Sequence, residues 1–67
     1  MPYRKLGEEV KLIRLKRGLS QEQLAERSGL STMTIGFIEQ GRRRPQLGTL
    51  QKIADVLEVR VKDLIPF

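Results

Sequence analysis

The feature that most constrains this 67-residue chain is a pair of helix-start signals with a glycine stop between them. Ser20 stands before Gln21-Glu22-Gln23, the pattern of a capping box. In that motif the serine side chain serves the amide of the third helical residue, and the glutamine there reaches back to the serine amide. Leu19 precedes the cap and Leu24 is the fourth helical residue, as a hydrophobic staple requires. The helix carries Leu24 and Ala25 inward and ends at Ser28-Gly29, where glycine takes a positive φ at little steric cost. Only Leu30 then separates Gly29 from Ser31, a second N-cap. Two helices joined by so short a turn must cross at a steep angle.

The rest of the chain also reads as helix, because apolar residues recur at three and four positions and not at two. In the first segment Leu6, Val10, Ile13 and Arg17 follow that spacing, so Leu6, Val10 and Ile13 are expected to face inward. Glu8 and Glu9 are assigned to its first turns and Lys16 and Arg17 to its last, which suits the helix dipole; Gly18 stops it. The third helix is expected from Thr32 to Gln40, with Ile35 and Ile38 facing in, Gly41 closing it, and Thr32, Met33, Gly36 and Phe37 on the other side. Arg42-Arg43-Arg44-Pro45 reads as a loop, since proline disfavours helix in the residue before it. A fourth helix, about Leu47 to Leu57, carries a stripe of Leu47, Leu50, Ile53, Ala54 and Leu57. Glu58 interrupts it, and a last short turn holds Val61, Leu64 and Ile65 before Pro66. The fold class is all-α: one compact domain over residues 1–67, an orthogonal bundle of five short helices in which helices 2 and 3 form a helix-turn-helix.

Composition narrows the function. Thirteen Lys and Arg against eight Asp and Glu give a net charge of +5, with a pI of about 10.3, which favours a polyanionic partner. The chain has no His and no Cys. That removes the usual general base, the commonest transition-metal ligand, disulfides and Cys-based zinc fingers. Glu8 and Glu9 point to different sides of their helix; Glu22 and Glu26 share a side but lie near Arg27 as solubilising charges. No glycine motif of the P-loop or dinucleotide type is present. An enzyme is not expected, nor a cofactor, a metal or a small-molecule ligand. Apolar runs of two or three residues fall far below the roughly 20 that span a bilayer, and the N-terminus lacks the apolar region of a signal peptide. The expected location is cytoplasmic, at the nucleoid.

The informative stretch is residues 19–41. A small residue at Ala25 lets two helices approach, Gly29 permits the turn, and Ile35 and Ile38 anchor the back of the second helix. Its other face is then free to enter a DNA major groove, about 12 Å wide. The run GLSQEQLAERSGLSTMTIGFIEQGRRRPQLGTLQKIADVL resembles the Cro/CI-type (XRE-type) helix-turn-helix domain of phage and bacterial repressors. The matching pieces are LSQEQLA, SG, IxxIEQGRRRP and TLQKIADVL, in order and at the right spacing. The resemblance runs from about Leu6 to Ile65 and implies a lambda-repressor-like fold. In size, and in the expectation of a single domain, the chain is similar to the stand-alone controller proteins of restriction–modification systems.

The resemblance implies roles. Gln21 matches a position that contacts a DNA phosphate and braces the recognition helix. Thr32, Met33, Gly36 and Phe37 match positions facing base edges. Thr34 matches a phosphate contact, with the cap residue Ser31 beside it, and Arg42, Arg43 and Arg44 match a segment along the DNA backbone. Arg14 and Glu39 match a pair that forms a salt bridge in several repressors. Met33, Gly36 and Phe37 depart from the polar residues frequent at such sites, so thymine methyls and DNA shape are the expected targets more than bidentate hydrogen bonds. Competing readings remain beside each role. Met33 and Phe37 could be packing or a protein-binding patch, the arginines a solvated charge run, Arg14–Glu39 an exposed and trivial pair, and Gln21 simply a good first-turn residue.

One small module buries only about 600–1,000 Å² on DNA, so a homodimer is expected. Val59, Val61, Leu64, Ile65 and Phe67 are the expected two-fold interface, with recognition helices about 34 Å apart on a near-palindromic site. The leading expectation is a sequence-specific double-stranded-DNA-binding transcriptional regulator acting as a repressor. The alternatives are a protein-interaction module on the same fold and an antitoxin-like partner of a toxin.

Overall fold

The structure, a computed structural model, describes residues 3–65. Five helices follow one another: α1 (Arg4–Lys16), α2 (Gln21–Ser28), α3 (Thr32–Glu39), α4 (Leu47–Leu57) and α5 (Val61–Leu64). No strand occurs among the described residues. The body measures 26 × 22 × 21 Å.

The α2–α3 corner is built as its sequence implies. Ser20 Oγ accepts from the Gln23 amide at 3.0 Å, and Gln23 Oε1 accepts from the Ser20 amide at 2.9 Å. Two amides at the start of α2, those of Ser20 and Gln23, are thereby satisfied. Gly29 sits at φ 73°, in the left-handed region, and lets the Leu30 amide donate to Ala25 O at 2.9 Å. Ser31 then caps α3, its Oγ accepting from the Thr34 amide at 3.0 Å. Ser28 is buried and its hydroxyl donates back to Leu24 O at 2.7 Å, so it closes the corner without leaving a polar group unpaired.

The core is one cluster drawn from all five helices and the α1–α2 turn. Val10, Leu24, Ile35, Ile38, Ile53, Ala54, Leu57 and Leu64 are fully buried, with Leu6, Leu19, Ala25 and Leu50 nearly so. Helix α3 packs on α1 and α2, α2 on α4, and α5 closes against α4 and α1.

Three sequence expectations change here. The inward side of α1 is Leu6, Gly7, Val10 and Arg14, whereas Ile13 is only half-buried at the edge and Arg17 lies outside. The cause is Gly7: a Cβ there would collide with the backbone carbonyls of Ile38 and Glu39, so the bare glycine is what lets α1 lie against the end of α3. Because α1 begins at Arg4, its first turn holds no acidic residue; Glu8 and Glu9 fall in the second turn. Leu47, expected in the α4 stripe, is 71% exposed. It occupies the opening turn of α4, which looks onto the preceding loop, and lines a surface groove with Arg44, Pro45 and Gln46.

Candidate nucleic-acid interface

The candidate surface is the outward side of α3 with the loop that follows it. Ile35 and Ile38, both fully buried, fix the back of the helix. The opposite side is left with Thr32, exposed, Met33, 68% exposed, and Gly36 and Phe37, half-buried. Nothing lies within 4 Å of where a Gly36 Cβ would be. That side therefore offers one hydroxyl, one thioether, one ring and a stretch of bare backbone.

Its tilt is set by a buried polar cluster. The Arg14 guanidinium donates through Nε to Glu39 Oε2 at 2.6 Å and through Nη2 to Glu39 Oε1 at 3.0 Å. Its Nη1 donates to Leu19 O at 2.8 Å. The pair is buried, with 7% and 3% of the side chains exposed, unlike the exposed pair also open to a sequence reading. Gln21 Nε2 adds a third hydrogen bond to the Glu39 carboxylate, at 3.1 Å. Helices α1, α2 and α3 are thus locked through one carboxylate. The Gln21 amide is held half-buried with one N–H engaged, and its nitrogen carries a second N–H.

At the start of α3 the Ser31 and Thr34 hydroxyls lie 2.8 Å apart. One donates to the other, so the pair keeps a single hydroxyl hydrogen for an outside acceptor. Past the helix, Arg42, Arg43 and Arg44 are all exposed. Thr34, Arg43 and Arg44 line one open groove together with Ile38, Pro45, Gln46 and Thr49. The Arg43 guanidinium carbon stands 5.4 Å from the centre of the Phe37 ring, over its face. Gln46 and Thr49 carry no motif of their own in the sequence. Their only sequence signal is their position after Pro45, at the start of a helix.

The expected dimer patch is smaller than the sequence suggested. Leu64 is fully buried in the core and is spent there. Val59, Val61 and Ile65 are half-buried and packed on that core. Phe67 lies outside the described residues. Leu12 and Leu15 on α1, 47% and 56% exposed, are further apolar side chains at the surface. Among the described residues no group of acidic, His or Cys side chains could hold a metal ion, and no helix is long and apolar enough to cross a membrane.

Residues 10–64 match the helix-turn-helix family HTH_3. The chain is 40% identical over 58 residues to an uncharacterized HTH-type transcriptional regulator of Archaeoglobus fulgidus, covering 87% of this chain and 83% of that protein. Its structure is similar to that of the restriction–modification controller protein C.AhdI from Aeromonas hydrophila. There the TM-score is 0.92 with 35% identity, over 94% of this chain and 96% of the other. It is also similar to SinR, the master regulator for biofilm formation, from Bacillus subtilis, in a crystal structure with DNA. That match has a TM-score of 0.87 with 31% identity, over 90% of this chain and 97% of the other.

Proposed function

The chain belongs to the HTH_3 helix-turn-helix family, and from that premise we propose how it works on DNA. It is a DNA-binding transcriptional regulator and not an enzyme. The observation that carries the reading is the outward side of α3, opposite the buried Ile35 and Ile38 and flanked by three exposed arginines. A helix so presented fits a major groove, and the arginines fall where phosphates flank it.

In this reading Thr32, Met33, Gly36 and Phe37 face base edges. Gln21, Ser31, Thr34, Arg42, Arg43 and Arg44 hold phosphates. The free N–H of Gln21, oriented by Glu39, and the one spare hydroxyl hydrogen of the Ser31–Thr34 pair are suitable donors for phosphate oxygens. Affinity then comes mainly from charge, and sequence preference from apolar contacts and DNA shape. The whole chain acts as a single DNA-binding domain located at the nucleoid. It represses by occupying a near-palindromic operator as a homodimer, with Val59, Val61 and Ile65 in the two-fold contact.

Selection of bound sequences from random duplex DNA tests this. A two-fold symmetric motif with half-sites about one helical turn apart is the expected result. Sedimentation at micromolar concentration, with and without the selected duplex, checks the assembly; a strict monomer in both would sink the dimer.

A further inference from the structure

The contact between Phe37 and Arg43 has a consequence for DNA binding that neither residue has alone. Phe37 is half-buried, yet among the described residues the half-buried apolar side chains packed on the core are Ile13, Leu30, Val56, Val59, Val61 and Ile65. The ring is not one of them. What does lie on it is the Arg43 guanidinium, 5.4 Å from the ring centre. An exposed arginine ordinarily samples many rotamers and must give up that freedom to hold a phosphate. A guanidinium resting on an aromatic face is attracted by the ring quadrupole and keeps its in-plane N–H groups free. Arg42 and Arg44 belong to the same loop, but among the described residues Phe37 holds only Arg43 in this way.

We propose that Phe37 is a positioning residue for Arg43: its ring holds the guanidinium at the end of the recognition helix, and without the ring Arg43 does not stay on a DNA phosphate. The proposal deepens the DNA-binding reading and rests on it. Its distinctive consequence is that an uncharged residue controls a charge-dependent quantity. Each phosphate contact contributes about 0.9 to the slope of log K against log salt. A phenylalanine that only packs or only touches bases contributes nothing to that slope.

The test is a double-mutant cycle read by salt-dependent binding to the selected duplex. Arg43→Ala should lower the slope by about 0.9, a roughly 3.5-fold smaller loss of affinity between about 50 and 200 mM salt. Phe37→Leu should lower the slope as much, and the double variant no further. Phe37→Tyr, which keeps the ring, should retain the full slope. Arg42→Ala should add to Phe37→Leu independently. A second measurement needs neither a variant nor DNA: the Arg43 δ-methylene protons of the unbound chain should resonate upfield of those of Arg42 and Arg44, shifted by the ring current. Unchanged slope in Phe37→Leu, or unshifted Arg43 protons, overturns the coupling while leaving DNA binding intact. Absence of any salt-dependent binding by the unmodified chain overturns the DNA-binding reading itself, and the proposal with it.

Discussion

Arg14 and Glu39, on the first and third helices, meet through two hydrogen bonds of 2.6 and 3.0 Å in a buried setting. Neither charge has water to fall back on, so the pair is held to its geometry far more strictly than a surface pair. Arg14→Ala or Glu39→Ala leaves the other charge stranded and should cost about 3–5 kcal/mol. The double variant Arg14→Met/Glu39→Leu should recover most of that, because no charge is then buried. Urea denaturation measures both. A double variant as unstable as either single one would show that the loss lies in packing and not in the orphaned charge.

Gly7→Ala should be among the most damaging small substitutions. The added methyl would meet the Ile38 and Glu39 carbonyls, and backbone cannot move aside as a flexible side chain can. Overpacking of this kind costs about 1–3 kcal/mol or more. At Gly36 the same methyl meets nothing, so Gly36→Ala should raise the melting temperature through better helix propensity, about 1 kcal/mol. If Gly36 lies against DNA, that variant should nevertheless bind more weakly. Thermal unfolding and binding, measured on the same two variants, separate these effects.

Glu58 ends α4 at φ 59°, the only non-glycine residue with a positive φ among those described. A side chain in this region costs roughly 1–2 kcal/mol, and glycine removes that cost while adding unfolded-state entropy. Glu58→Gly should therefore be net stabilising by about 0.5–1 kcal/mol. In a domain of this size that is a rise of several degrees in Tm. A fall in Tm would mean that the Glu58 side chain contributes more than its backbone costs.

Met33 and the loop arginines should fail in different ways. Met33 is 68% exposed, so Met33→Ala should change stability by no more than about 0.5 kcal/mol. It should leave the salt slope unchanged and alter which sequences are selected. Arg42→Ala and Arg44→Ala should weaken binding to all sequences alike and lower the slope by about 0.9 each. An arginine variant that changed the selected motif would be reading bases instead.

Local chemistry determined much of this protein directly from its sequence. The capping box at Ser20–Gln23, the Gly29 turn and the Ser31 cap involve neighbours along the chain, so their geometry follows from residue type and spacing alone. The same holds for the helix order and for the inward Ile35 and Ile38. Only the tertiary structure decided what depends on partners distant in sequence. It turned α1 so that Gly7 and Arg14, not Ile13, face α3, since the fit of backbone against backbone outweighs a gain of one half-buried isoleucine. It took Leu64 into the core and left Leu47 outside it, because burial depends on where the neighbouring helices end and not on apolar periodicity. It buried the Arg14–Glu39 pair that the family resemblance implies and brought Gln21 onto the same carboxylate, and it laid Arg43 over Phe37. Those contacts join helix, turn and loop across space, and the sequence shows no period that connects them.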